Sequence, residues 1–208
     1  MTNDDNVARQ IRLRATVESR SDADDFLEKP GDVVLVERGR LRSIVFACPD
    51  GCGSVLTINL DPRAGKAWRF YRSPKGISLH PSVWRDGGCR AHFVLWQDRL
   101  LWSGRRVSGV SEPAYDEANE HVVFAALKGD FRSSDEIAFE LDLIPYEVAR
   151  TADRLARNGL AEERRTPHGS LYRKVAAPVP VEEKVEIKAG SEVPPTDWLA
   201  RLRAWLGI

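Results

Sequence analysis

Residues Gly76–Trp96 read GISLHPSVWRDGGCRAHFVLW. Two apolar runs flank the polar segment "RDGG", and this pattern predicts two antiparallel strands joined by a turn. The same stretch contains Ser82, Cys89 and His92. It therefore predicts a β-hairpin that also holds the types of side chain that serve in catalysis by a serine nucleophile and in zinc binding.

By composition, the chain of 208 residues divides into a β-rich part, a helical part and a tail. From about Arg12 to Arg106, short runs such as "DVVLVERG", "RSIVFACP" and "AWRFYRS" are rich in Val, Ile, Phe and Trp and are separated by Gly, Pro and Asp. These runs predict a small, mostly antiparallel β domain over residues 1–110. Together with the helical part, they predict an α+β fold.

The helical part, predicted over residues 113–176, has apolar residues at helical spacing. "EANEHVVFAALKGD" predicts a first helix, and "SSDEIAFELDL" predicts a second helix with Ser133 or Ser134 as its N-cap. Pro145 begins a third helix, which is followed by two strands joined at "TPHGS". This order of elements resembles the winged helix-turn-helix superfamily.

A winged helix first suggests DNA binding, with its third helix in the major groove. Arg150, Arg154 and Arg157 lie on that predicted helix, but acidic residues are interleaved with them. From Glu117 to Lys174 the chain has nine basic and eleven acidic residues, whereas a module that binds phosphates usually has a basic excess. We therefore favour a protein-interaction or dimerising winged helix over DNA binding.

The tail has two predicted segments. Residues 177–195 are rich in Pro, Glu, Lys and Val and predict a flexible linker. Residues 196–208, "TDWLARLRAWLGI", predict an amphipathic helix with its Trp and Leu side chains on one face. Such a helix docks either into a groove of a partner or onto the protein's own β domain, and only two Arg residues support binding to a membrane surface.

Charge and cysteine content indicate the compartment. Lys plus Arg and Asp plus Glu both total 31, so the chain has no net charge that points to nucleic acid. The polar N-terminus is neither a signal peptide nor a membrane span, and no later run approaches about 18 apolar residues. Three Cys residues do not suit a disulfide framework. We expect a cytoplasmic protein with no membrane partner.

All three Cys residues lie in Gly-containing turns, Cys48 and Cys52 in "ACPDGCG" and Cys89 in "GGCRAHF". Zinc takes about four Cys, His or Asp ligands in a tetrahedron, and two short groups of ligands often supply them. We favour a structural Zn²⁺ bound by the three Cys thiolates, with either His92 or Asp50 as the fourth ligand. The alternative is that the thiols are only small apolar groups in the core.

His92 is also a candidate for a catalytic base. A Ser hydroxyl becomes a nucleophile when an imidazole within hydrogen-bond reach removes its proton. If the two runs of the opening stretch pair across "RDGG", Ser82 and His92 lie opposite each other, with Cβ atoms about 4.5–5.5 Å apart. His80 is the rival base, but it lies two residues before Ser82 and needs a turn to reach it.

The succession "ACPDGCG", "AWRFY", "GISLHPSVW" and "CRAHFVLW", over about Arg12–Trp102, resembles a protein family encoded in bacterial ubiquitination-like (Bub) operons. The resemblance implies a serine peptidase of antiphage defence that processes or removes ubiquitin-like modifiers, with E1- or E2-like conjugation proteins as further partners. By motif position, it assigns the nucleophile to Ser82 and the base to His92. Asp50 stands where the family often has another Cys, and Ala91 stands where it often has Ser.

Three functional hypotheses follow. In the first, a zinc-stabilised serine hydrolase uses Ser82 to attack a carbonyl at the C-terminal tail of a ubiquitin-like protein. In the second, the chain is a non-enzymatic adaptor or DNA-binding regulator, and His92 completes a four-ligand zinc site. A third, metal catalysis with Asp86 as the base, ranks last. The direction of the His92 ring, toward Ser82 or toward the Cys sulfurs, distinguishes the first two.

Overall fold

The computed structural model describes residues 6–104, 107–167 and 169–175. These residues combine α-helices with mostly antiparallel strands, so the predicted α+β class is confirmed. The strands are β1 (Arg12–Val17), β2 (Asp32–Glu37), β3 (Leu41–Ala47), β4 (Val55–Asn59), β5 (Arg69–Ser73), β6 (Gly76–His80), β7 (Val83–Trp84), β8 (His92–Trp96), β9 (Arg99–Trp102), β10 (Arg132–Ser133), β11 (Ala161–Thr166) and β12 (Gly169–Lys174). The helices are α1 (Ala118–Ala126), α2 (Ser134–Leu141) and α3 (Pro145–Arg157).

The first sheet has the strand order β1-β2-β3-β4, in which β1 is parallel to β2 and the other pairs are antiparallel. The first five residues of β2 are all buried. Since successive side chains point to opposite sides of a strand, both faces of β2 are covered. Val33 and Leu35 pack into the main core of the β-rich part. Val34 and Val36 pack on the other face against Ala23 of a short 3₁₀ helix.

Two smaller sheets carry the candidate site. Strands β5 and β6 form a hairpin, and β7, β8 and β9 form a three-stranded antiparallel sheet. Their buried side chains join those of the first sheet in one core, which includes Phe46, Leu79, Phe93, Leu95 and Leu100. The strands that hold the site are therefore held in place by apolar packing against the first sheet.

The N-terminal segment before β1 connects the first sheet to the β8–β9 hairpin. The Ile11 amide donates to Asp98 O at 2.8 Å, and Arg9 O accepts from the Leu100 amide at 2.9 Å. The Arg12 amide continues the line by donating to Gly31 O at 2.8 Å. Residues 9–12 therefore form hydrogen bonds both with the β8–β9 hairpin and with the segment just before β2.

The helical part has its own core beneath α1, α2, α3 and a sheet of order β10-β12-β11. Helix α2 begins with a capping box, in which the Glu136 amide donates to Ser133 Oγ and the Ser133 amide donates to the Glu136 carboxylate. The N-cap is thus Ser133 rather than Ser134. Pro145 occupies the first turn of α3, as predicted from its fixed φ.

Direct hydrogen bonds join the β-rich and helical parts within the compact unit Met1–Val175. Tyr146 Oη donates to Leu79 O at 3.1 Å, and Gln97 Nε2 donates to Glu147 Oε1 at 2.7 Å. The boundary between domains 1–110 and 113–176 stays a prediction. The linker 177–195 and the helix 196–208 lie outside the described residues.

Candidate active site and cysteine cluster

Ser82 and His92 meet where β7 pairs with β8. His92 Nε2 lies 3.2 Å from Ser82 Oγ, which is a hydrogen-bond distance, and both residues are half-buried. The register places Trp84 opposite His92. Ser82 is therefore not directly opposite the histidine but reaches it diagonally, from two residues earlier. The pairing of these strands brings the hydroxyl and the imidazole together.

The imidazole of His92 lies against an aromatic ring. The Trp84 indole is 67% exposed, and it stacks on the imidazole with 5.8 Å between the ring centroids and 28° between the ring planes. Within the described ranges, no carboxylate forms a hydrogen bond or an ion pair with His92. The arrangement is a hydroxyl–imidazole pair covered on one side by a solvent-facing indole.

The rival base, His80, faces the helical part instead. Its Nε2 lies 3.5 Å from Asp135 Oδ1, and its ring packs on Tyr146 with 5.2 Å between the centroids. Burial lowers the pKa of His80, although the charge of Asp135 opposes that shift. These contacts place the imidazole in the junction with α2 and α3.

The backbone around Ser82 is held by two further groups. Trp68 Nε1 donates to Ser82 O at 3.3 Å, which ties the residue to the segment just before β5. The Arg85 amide donates to Ala91 O at 3.0 Å and closes the loop between β7 and β8. Trp68 was not predicted as part of the site, because nothing along the chain indicates that its indole reaches residue 82.

The three cysteines form one cluster. The Sγ atoms of Cys48, Cys52 and Cys89 all lie within 4.8 Å of one another, and those of Cys48 and Cys89 are 3.6 Å apart. Cys48 and Cys52 come from the turn between β3 and β4, where Gly51 has a φ of +79°. A Cβ at Gly51 would lie 2.5 Å from Asn6 Nδ2, so this turn needs glycine.

The donor set suits a thiophilic metal ion. Zinc–sulfur bonds of about 2.3 Å in a tetrahedron place sulfur atoms about 3.8 Å apart, close to the Cys48–Cys89 separation. Neither His92 nor Asp50 belongs to the group of ligand atoms that meets the 4.8 Å distance among the described residues. The cluster is therefore compatible with a metal site built on three thiolates.

The Arg85 guanidinium lies beside two of the three sulfur atoms of the cluster. Arg85 Nη1 lies 3.4 Å from Cys52 Sγ and 3.5 Å from Cys89 Sγ. Burial raises the pKa of the Cys48 thiol. Burial also acts to raise the pKa of Cys52, but hydrogen bonds involving Ser54 and the other two thiols lower it to about 6. Arg85 was not predicted as part of the cluster, although its place four residues before Cys89 was a usable signal.

Asp86 gives little support to metal catalysis. It is exposed, and it lies outside the group of residues that can hold a metal ion within the part of the chain that the structure describes. The site thus has two separate centres, the Ser82–His92 pair and the cysteine cluster. Residues 82–92 supply Ser82, His92 and Cys89, whereas Cys48 and Cys52 come from the turn between β3 and β4.

Comparison with known proteins gives one family-model match, in the β-rich part. Residues 19–103 match the model of the family described as the bacterial ubiquitination-like system serine protease (BubE). That span contains the three cysteines, Ser82 and His92, so the match supports the resemblance for the β-rich part. No curated protein and no solved structure gives a significant match.

No α-helix among the described residues is both long enough and apolar enough to cross a membrane.

Proposed function

We propose that this protein is a serine peptidase that cleaves at the C-terminal tail of a ubiquitin-like protein, with Ser82 as nucleophile and His92 as general base. The observation that supports the proposal is the 3.2 Å contact between His92 Nε2 and Ser82 Oγ. It lies inside the region that matches a family of serine proteases of the bacterial ubiquitination-like system. That family's description names a serine protease of a ubiquitination-like system, and from it we infer a ubiquitin-like protein as the substrate.

The chemistry follows from the two side chains. His92 Nε2 takes the hydroxyl proton while Ser82 Oγ bonds to the scissile carbonyl carbon. When the carbon–nitrogen bond breaks, the protonated His92 gives that proton to the leaving amine, and an acyl-serine remains. A water molecule, deprotonated by the same imidazole, then hydrolyses the ester and restores Ser82. The Trp84 indole covers one face of this imidazole.

We further propose that the cysteine cluster binds a structural Zn²⁺ through Cys48, Cys52 and Cys89, with a water or Asp50 as the fourth ligand. The sulfur separations support this assignment. His92 is then free to act as a base, because its Nε2 is directed to Ser82. Zinc would supply a fixed link between the β3–β4 turn and the β7–β8 loop.

The test uses a bacterial ubiquitin-like protein that carries a C-terminal extension. Ser82→Ala and His92→Ala are each expected to lower kcat by about 10³-fold or more. A fluorophosphonate probe should label the wild-type protein and leave Ser82→Ala unlabelled. Ser134→Ala and His121→Ala, which change the same residue types on helices, serve as controls. Cleavage at the wild-type rate in Ser82→Ala would refute the assignment.

We propose that residues 113–176 form a winged helix that recruits the modifier or a conjugation enzyme. The order of helices α1, α2 and α3 and the β10-β12-β11 sheet supports this reading. Several of its basic side chains are already paired within the protein, which disfavours DNA binding: Arg154 with Glu120, Arg165 with Glu163, and Arg173 with Glu162.

A further inference from the structure

We infer that Trp84 is a positioning residue for the reaction of Ser82, and that its indole face stabilises the positive charge that His92 acquires when it removes the hydroxyl proton. This inference rests on the proposed function, because it concerns the protonated form of the proposed base. It assigns to an aromatic face part of the role that a carboxylate has in a catalytic triad.

Ser82, Trp84 and His92 lie on one outward face of the β7-β8-β9 sheet. Val83, which separates Ser82 from Trp84, is buried in the core, and successive residues of an extended segment point to opposite sides. Phe93, next to His92, is buried in the same core. The hydroxyl, the indole and the imidazole therefore share the side of the sheet that faces away from that core.

The register of the two strands brings the indole to the imidazole. Trp84 is opposite His92, and the next pair is hydrogen-bonded, because the Arg85 amide donates to Ala91 O at 3.0 Å. Hydrogen-bonded and non-hydrogen-bonded pairs alternate along an antiparallel ladder, so Trp84 and His92 form a non-hydrogen-bonded pair. Side chains approach each other most closely in such pairs. The contact between the two rings therefore follows from the strand pairing.

The geometry of the rings suits attraction between an imidazolium and an indole face. The ring centroids are 5.8 Å apart and the ring planes differ by 28°, so the imidazole stacks on the indole. The face of an indole carries negative charge density, and it attracts a cation within about 6 Å of the ring centroid. This attraction increases when His92 takes up a proton, because the neutral imidazole has no net charge.

The charged ring has no acidic partner in the part of the chain that the structure describes. There, His92 contacts Ser82 Oγ at 3.2 Å and the Trp84 indole, and no carboxylate bonds to it. The Ser82 hydroxyl gives up its proton in the reaction, so the indole is the contact that can stabilise the charge that forms. Trp84 is 67% exposed and contributes little to the apolar core.

The experiment measures how fast a fluorophosphonate inactivates the full chain. In this reaction Ser82 Oγ bonds to phosphorus, fluoride leaves, and the hydroxyl proton passes to His92, so the charged imidazole forms without a protein substrate. Trp84→Leu removes the aromatic face, and Trp84→Phe keeps a weaker one. Tetrafluorotryptophan, inserted at residue 84 by stop-codon suppression, keeps the shape of the indole while its fluorine atoms withdraw electron density from the face.

Phe139→Leu is the control, because Phe139 is another exposed aromatic residue and lies on α2. Tryptophan inserted at residue 84 by the same suppression controls for the method. Circular dichroism checks that each variant is folded.

We expect the inactivation rate constant to fall about 2- to 5-fold in Trp84→Leu, the effect of one cation–π contact at an exposed site. Tetrafluorotryptophan should give a similar loss, and Trp84→Phe a smaller one. The dissociation constant of the fluorophosphonate should stay at the wild-type value, because Trp84 acts on the charged base and not on the probe. Phe139→Leu should change neither constant.

The outcomes separate failure of this inference from failure of the proposed function. A wild-type rate constant with tetrafluorotryptophan would overturn the inference alone, because only the shape of the side chain would then matter. A loss confined to the dissociation constant would do the same, since Trp84 would then contact the probe. Absence of Ser82 labelling in the wild type, or labelling of His92→Ala at the wild-type rate, would overturn the proposed function and this inference with it.

Discussion

Asp61 is a buried carboxylate held by two arginines. Its oxygens accept from Arg42 at 2.7 Å and from Arg63 at 2.8 Å, and the carboxylate also caps the 3₁₀ turn that follows. Hydrogen bonds from Arg63 hold the pKa of Asp61 well below its usual range, and Arg42 contributes in the same direction.

This shift predicts a pH-dependent contribution to stability. Because the pKa of Asp61 is lower in the folded chain than in the unfolded chain, its contribution is present above about pH 4 and is lost as the pH falls further. Urea unfolding should find Asp61→Asn less stable than the wild type at pH 7, with a smaller difference at pH 3. Asp24→Asn, at an exposed ion pair, should show little effect at either pH. An unchanged difference at pH 3 would contradict the prediction.

Ser82 and His92 could be predicted as a pair because they lie close together along the chain. Ser82 and His92 lie on either side of one turn, so strand pairing alone brings them close. The register was less predictable, because Trp84 rather than Ser82 is opposite His92. Strand periodicity fixes which face a residue occupies but not which residue of the partner strand it meets.

At the scale of the secondary-structure element, the stability of helix α2 depends on the hydrogen bonds of its first turn. The Ser133–Glu136 capping box satisfies two backbone amides that have no partner within the helix. Helix α2 has only eight residues. Because so short a helix is marginally stable without packing and caps, these two hydrogen bonds contribute a large share of its stability.

Replacing Ser133 should therefore destabilise the protein. We expect Ser133→Ala to lower the free energy of unfolding by about 1 kcal/mol. Ser134→Ala is the matched control, because Ser134 lies inside the helix and does not provide the N-cap bond. Urea unfolding monitored by circular dichroism measures both, and equal losses in the two variants would contradict the assignment of the cap.

Sequence patterns located these elements well where turn and cap residues mark their ends. The α3 start was visible as Pro145, and the α2 cap was narrowed to Ser133 or Ser134, of which the structure has Ser133. The parallel pairing of β1 with β2 was not visible, because it joins strands separated by a 3₁₀ helix rather than by a tight turn. Apolar alternation predicts a strand but not its direction in the sheet.

At the scale of the whole molecule, the cysteine cluster connects segments that are far apart in the sequence. It joins the turn after β3 to the loop before β8, so it links the first sheet to the sheet that carries His92. A metal ion bound there would stabilise the folded chain, because the unfolded chain lacks the assembled site.

Metal analysis tests this link. Purified protein should contain about one equivalent of zinc, and chelation should lower the Tm by on the order of 10 °C. Cys52→Ser should lose most of the metal. His92→Ala should retain it, since His92 lies outside the sulfur cluster. Loss of zinc in His92→Ala would instead identify His92 as a ligand and favour the adaptor function.

The N-terminal segment that bonds to the β8–β9 hairpin has a consequence for biosynthesis. Residues 8–12 leave the ribosome before residues 98–100, yet the Arg9 and Ile11 backbone groups find their partners at Leu100 and Asp98. Contacts between such distant positions close slowly and only after both ends are synthesised. The nascent β-rich part therefore stays open until β9 emerges, and Ser82 and His92 acquire their final surroundings only near the end of that interval.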